Sequence, residues 1–85
     1  MRKSIHSSQN QILLAMLRKY RQQRRLRQLD VGNLLGRNQA MVSKVESGER
    51  RLDVIELRSW LLAIDVDFMT FMRELDDKLS SRWPE

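Results

Sequence analysis

Leu26-Arg27-Gln28-Leu29-Asp30-Val31-Gly32-Asn33-Leu34-Leu35-Gly36-Arg37-Asn38-Gln39-Ala40-Met41-Val42-Ser43-Lys44-Val45-Glu46-Ser47-Gly48-Glu49-Arg50-Arg51 decides the fold. It reads as two short helices and a tight turn. The first runs from about Arg27 to Leu35, with Leu26, Val31, Leu34 and Leu35 directed inward. Gly36 supplies the left-handed residue that ends it. Asn38 caps the next helix, Gln39 to about Ser47, whose terminator is Gly48. Val42 and Val45 face the core. Gln39, Ala40, Ser43 and Lys44 lie at i, i+1, i+4 and i+5, so they share the opposite face.

Outward from this stretch the pattern stays helical. From Gln9 to Arg25 there is no Gly or Pro, and Leu13, Met16, Leu17 and Tyr20 fall at helical spacing. Ser7 or Ser8 is positioned to cap that helix. After the loop at Glu49-Arg50-Arg51-Leu52, Asp53 and Glu56 form a capping-box pair. Leu57, Trp60, Leu61 and Ile64 then make an apolar stripe. Asp67 caps a last helix reaching about Leu79, with Phe68, Phe71, Met72 and Leu75 available to pack. Pro84 bars helix in the tail. The expectation is an all-α, five-helix chain: a polar arm over 1–8, one domain over 9–79, and a tail over 80–85.

Composition narrows the function. At 85 residues there is room for one modest core. There is no Cys and one His, so neither a disulfide framework nor a Cys- or His-rich metal site is available. No nucleophile–base pair and no phosphate-cradling Gly loop stands out, so no enzyme activity, cofactor or metal is expected. No apolar run approaches the roughly 18–20 residues of a membrane span, and no signal-peptide core opens the chain; a cytoplasmic protein is expected. Residues 1–29 carry eight Lys or Arg and no acid, whereas residues 52–85 carry four cations and eight acids. A cationic first half suits a polyanion, and an anionic second half suits solvent or another protein.

The pair of helices has the layout of a DNA-reading helix-turn-helix, with Gln39, Ala40 and Lys44 on the face that would enter a major groove. Gln can bond bidentately to an adenine edge, Lys can donate to guanine O6 and N7, and Ala can meet a thymine methyl. The bland alternative is a solvated polar face. Gln28 begins its helix, where backbone amides favour a phosphate. Asn38 can act as a cap, a phosphate ligand or both; Ser43 is a similar candidate. Arg18, Arg25, Arg27, Arg37, Arg50 and Arg51 surround the motif and can neutralise phosphates without reading sequence.

Taken together, Leu17-Arg18, Arg21, Arg24, Leu26-x-Gln28, Leu35-Gly36-x-x-Gln39, Val42-Ser43-Lys44-Val45-Glu46-x-Gly48-Glu49-Arg50-Arg51 and Leu57 to Val66 resemble the lambda-repressor-like, Cro/C1-type (Xre) helix-turn-helix family. The likeness runs ungapped from about Leu17 to Phe71. It implies a five-helix lambda-repressor-like DNA-binding domain and base contacts from the positions of Gln39, Ala40 and Lys44. It also implies a DNA-backbone brace at Gln28 that touches the first base-reading side chain, and a partly buried ion pair between Arg21 and Glu46. Departures are local. Arg25 stands where the family usually has Gly, Arg27 where it often has a capping Ser or Thr, and Gly32 where Ala is common. Leu52 replaces a frequent Pro, and Asp65 a frequent Gly.

The resulting expectation is a regulator of transcription that binds double-stranded DNA. It would act as a repressor, through a homodimer on a palindromic operator. Helix 5 carries more apolar side chains than one stripe can bury, and Trp83 lies beyond it; both favour a second subunit. A second reading is an antitoxin-like or adaptor protein holding a protein partner through its C-terminal half. A third is a basic binder of RNA or anionic membrane through residues 18–27.

Overall fold

A computed structural model describes residues 8–79. They form five helices: α1 (Ser8–Gln23), α2 (Gln28–Leu34), α3 (Gln39–Ser47), α4 (Val54–Ala63) and α5 (Phe68–Leu79). No strand occurs among the described residues. Ser7, Trp83 and Pro84 lie outside the described residues.

Each helix end has a local cause. Asn38 Oδ1 accepts the Met41 N–H at 2.9 Å, capping α3. Asp53 and Glu56 cap α4 reciprocally: Glu56 N–H donates to Asp53 Oδ1 at 2.7 Å, and Asp53 N–H to Glu56 Oε1 at 3.0 Å. Asp67 Oδ2 accepts both the N–H and the hydroxyl of Thr70, at 2.9 and 2.8 Å. At the start of α2, Asp30 accepts the Arg27 N–H at 2.7 Å, but Arg27 has no acceptor with which to return the bond. Gly36 (φ 68°) and Gly48 (φ 90°) terminate α2 and α3 in the left-handed region.

The end of α1 corrects the sequence reading. The first helix stops at Gln23, because Arg25 takes φ 60° and a helix cannot continue through it. Asp65 also sits at φ 60°. At both positions Gly is common in the family that the sequence resembles. The backbone keeps the left-handed turn that Gly would adopt freely. Arg24 joins the two turns: its Nε donates to Ile64 O at 3.1 Å and its Nη2 to Asp65 O at 2.8 Å. The free carbonyls at the end of α4 are thereby satisfied.

Packing is centred on Trp60, Phe71, Leu17, Leu61, Ile64, Val31, Val42 and Val45, all essentially inaccessible to solvent. Leu34, expected inward, is 57% exposed, and Leu35 is half-buried. On α1, Leu14 is buried where Leu13 only flanks the core. Of the apolar residues on α5, Phe71 and Leu75 are buried, Phe68 and Met72 half-buried, and Met69 alone stays exposed. Tyr20 links α1 to α5, tilted against Phe71 with ring centroids 5.8 Å apart. Its hydroxyl and Lys19 Nζ both donate to the Glu74 carboxylate, the lysine bond being 2.7 Å.

α2 and α3 approach each other closely. A Cβ on Gly32 would stand 2.6 Å from the carbonyl carbon of Asn38 and 2.7 Å from its oxygen. Only a residue without Cβ lets α2 lie this close to the first turn of α3.

Candidate nucleic-acid interface

The outer face of α3 is built from the inside out. Val42 and Val45 anchor the helix, and the Gly32 contact fixes its first turn. That leaves Gln39, Ala40 and Lys44 exposed and Ser43 half-buried beside them. Lys44 is exposed and its side chain makes no hydrogen bond or ion pair among the described residues, so its ammonium is available to an incoming acceptor. Asn38 is already engaged as the cap, which leaves its NH2 group for another partner.

Beneath this face runs a polar chain that begins in the core. Glu46 is 3% exposed and Arg21 is 9% exposed. Arg21 Nε donates to Glu46 Oε2 at 2.7 Å, and Nη2 to Oε1 at 3.0 Å. Arg21 Nη1 reaches Leu26 O at 2.8 Å, so all three guanidinium nitrogens have a partner, and this bond holds the α1–α2 turn. Gln28 Nε2 also donates to Glu46 Oε1 at 3.0 Å. Its own Oε1 accepts from Gln39 Nε2 at 3.5 Å, the limit of a hydrogen bond. The structure thus connects Arg21, Glu46, Gln28 and Gln39 in sequence, from buried ion pair to exposed α3 side chain. Arg18 adds a weaker tie, Nη2 to Glu46 O at 3.4 Å.

The surrounding cations are not equivalent. Arg27 lies at the α2 N-terminus, yet its guanidinium is spent on Asp30, with Nη2 2.9 Å from Oδ1 and Nε 3.1 Å from Oδ2. That guanidinium, with the Arg27 backbone N–H, holds the Asp30 carboxyl down to about 2. Arg50 Nη2 pairs with Glu56 Oε2 at 2.7 Å. The Glu56 carboxyl is lowered first by that bond and then by the Asp53 N–H, with a smaller contribution from the field of Arg37. Arg37 is exposed, and while its backbone N–H donates to Gly32 O at 2.8 Å, its guanidinium makes no hydrogen bond among the described residues. Arg51 and Arg25 are exposed as well. A phosphate approaching Arg27 or Arg50 must therefore compete with an intramolecular carboxylate, whereas Lys44 and Arg37 meet it uncommitted.

Sequence reasoning missed Arg24, because its acceptors are two backbone carbonyls at the far end of the chain and no side-chain pattern announces them. It also missed the pairing of Arg50 with Glu56, although the Asp53–Glu56 capping box hints at it by placing Glu56 at the start of α4.

Among the described residues no helix is long and apolar enough to cross a membrane, and no group of His, Cys, Asp and Glu could hold a metal ion.

Comparison with known proteins agrees with this geometry. A helix-turn-helix family profile matches residues 17–71. Among solved structures, an XRE-family like protein from Pseudomonas syringae pv. tomato str. DC3000 superposes with a TM-score of 0.80 at 36% identity, over 87% of this chain and 92% of that one. No curated protein sequence matches the chain.

Proposed function

From the premise that this chain belongs to the Xre (Cro/C1-type) helix-turn-helix family of DNA-binding transcription regulators, we propose that it is a repressor. It binds a palindromic operator as a homodimer, and α3 of each subunit enters the major groove. Half-sites then lie roughly one helical turn apart. Bound protein blocks access of polymerase to the promoter.

The observation that carries this reading is the exposed α3 face tied to the buried Arg21–Glu46 pair through Gln28. A side chain that reads bases must be held before DNA arrives, because ordering it afterwards costs affinity. Gln39 is held at its amide end by Gln28, while Ala40 and Lys44 stand clear beside it. In this reading Gln39, Ala40 and Lys44 read base edges. Gln28, Asn38 and Ser43 fix the register on phosphates, with Arg18, Arg37 and Arg51 adding charge. Arg27 and Arg50 contribute to the extent that phosphate displaces Asp30 and Glu56.

Selection from random duplex DNA tests the proposal, with Gln39→Ala and Lys44→Ala beside the parent. The expected result is an enriched palindrome that relaxes at one position per half-site in each variant. Each lost bidentate contact should cost about 1–3 kcal/mol of discrimination. No enrichment, with salt-sensitive binding to any nucleic acid, would refute sequence readout. A complex of one chain per complete operator would refute the dimer.

A further inference from the structure

Two arginines that flank α3 in the chain are each held by a carboxylate that is itself fixed at a helix N-terminus. Arg27 precedes α2, and Asp30 stands three residues on, in its first turn. Asp30 Oδ2 accepts the Arg27 backbone N–H at 2.7 Å and its Nε at 3.1 Å, while Oδ1 accepts Nη2 at 2.9 Å. Arg50 lies two residues beyond Gly48, which ends α3. Glu56 stands in the first turn of α4, three residues after the cap Asp53. Its Oε1 accepts the Asp53 N–H at 3.0 Å, and its Oε2 accepts Arg50 Nη2 at 2.7 Å. The same arrangement thus occurs twice: a carboxylate bonds the backbone at a helix start and holds an arginine of the motif at the same time.

The backbone bonds matter because they place each carboxylate before any ligand arrives. A tethered carboxylate competes with phosphate at a high effective concentration. Both acids stay ionised, since the arginine bond first, and the backbone N–H second, hold their carboxyls below the ordinary range. Phosphate brings the guanidinium no new kind of bond, because both anions present oxygens to the same N–H donors. Exchange would also leave Asp30 or Glu56 uncompensated beside a polyanion. Each pair therefore faces DNA as a net neutral unit that releases few counterions, unlike Lys44 or Arg37. The two pairs are graded. Arg50 and Glu56 have side chains 34% and 35% exposed, whereas Arg27 is 74% exposed and gives up its partner more readily.

We infer that Asp30 and Glu56 are built-in substitutes for DNA phosphate, which hold Arg27 and Arg50 out of sequence-independent binding and so lower the affinity for non-operator DNA. Glu56 is the stronger of the two. Phosphate contacts supply affinity without sequence information, so masking them leaves a larger share of binding to Gln39, Ala40 and Lys44. This inference deepens the DNA-binding reading above and rests on it.

The test is binding of the full-length protein to a mixed-sequence duplex, followed by fluorescence anisotropy across a salt series. The variants are Asp30→Asn and Glu56→Gln; each retains a side-chain oxygen for the backbone bond, so the helix starts persist. Glu49→Gln controls for charge alone. It lies beside Arg50 in the chain, but its carboxylate accepts from the Ser47 hydroxyl at 3.1 Å rather than from Arg50. Glu56→Gln should steepen the slope of log affinity against log salt by about 0.9, the value of one freed cation. Asp30→Asn should steepen it by less, and Glu49→Gln by less than about half the Glu56→Gln change. Adding Arg50→Gln to Glu56→Gln should return the slope to that of the parent. A Glu56→Gln slope equal to that of the parent or of Glu49→Gln would overturn the inference, as would a steeper slope that survives removal of Arg50. Parent and variants that bind no duplex at any salt would instead refute the DNA-binding reading. Elution from immobilised heparin, which needs no duplex, would then still decide the masking: Glu56→Gln should elute at higher salt than Glu49→Gln, and equal elution would overturn it.

Discussion

Gly32→Ala should destabilise this protein, although every local rule says the reverse. Gly32 lies inside α2, where replacing Gly with Ala gains about 1 kcal/mol in helix propensity. Ala is also common at this position in the family. The packing opposes both. An added Cβ would stand 2.6 Å from Asn38 C, 2.7 Å from Asn38 O and 3.0 Å from Gln39 N. Unstrained contacts between such atoms begin near 3.5 Å. These neighbours are backbone, so no side-chain rotation relieves the overlap, and α2 and α3 must separate by about 1 Å. Overpacking of this kind costs about 1–3 kcal/mol. Set against the propensity gain, the net loss is about 0–2 kcal/mol, centred near 1. Urea unfolding followed by circular dichroism measures it. With a slope near 1 kcal/mol per molar, typical of a small domain, the midpoint should fall by about 1 M with the slope unchanged. The same displacement moves the first turn of α3, so operator affinity should fall with stability. A midpoint equal to or above that of the parent would refute the claim that the α2–α3 approach is tight enough to require Gly.

Three further outcomes follow from the same geometry. Glu46→Ala strands the buried Arg21 guanidinium and should cost about 3–5 kcal/mol in thermal or urea unfolding, whereas an exposed control such as Glu49→Ala should stay within about 0.5 kcal/mol of the parent; equal losses would refute a buried pair. Arg25→Gly and Asp65→Gly should each stabilise by about 1 kcal/mol, because both residues hold φ 60° at a cost that Gly does not incur; Asp65 accepts from Arg24 through its backbone oxygen, so that bond survives, and a lowered melting temperature in either variant would count against the left-handed assignment. Glu74 is lowered below its ordinary 4.5, chiefly by the Lys19 bond and then by that of the Tyr20 hydroxyl; its contribution is therefore present above about pH 4.5 and lost as pH falls through the lowered folded value. Glu74→Gln should flatten the stability–pH curve in that acid range, and an unchanged curve would show that the α1–α5 link is immaterial.

The five helices, the caps of α3, α4 and α5 and the terminators of α2 and α3 were legible in the sequence because each depends on residues a few positions apart. Asn38 before Gln39, Asp53 with Glu56, Asp67 with Thr70, and Gly36 and Gly48 beyond their helices all act within one turn of chain. The inward stripe of α3 was legible for the same reason, since helical periodicity assigns its faces. The family likeness carried the Arg21 and Glu46 positions, whose separation of 25 residues no local rule bridges.

Tertiary structure decided whatever depends on which elements meet. Periodicity placed both Leu34 and Leu35 inward, yet the end of a seven-residue helix has room to bury only part of that pair, and Leu34 faces solvent. Charge alone made every Arg around the motif a phosphate ligand; the fold brings Glu56 to Arg50 and Asp30 to Arg27, while it leaves Arg37 and Lys44 uncommitted. Arg24 acquires its role only because the α1–α2 and α4–α5 turns come together. Local backbone chemistry is written within a turn of sequence, whereas the partner of a long side chain is set by the packing of distant segments, and that packing exists only in the folded chain.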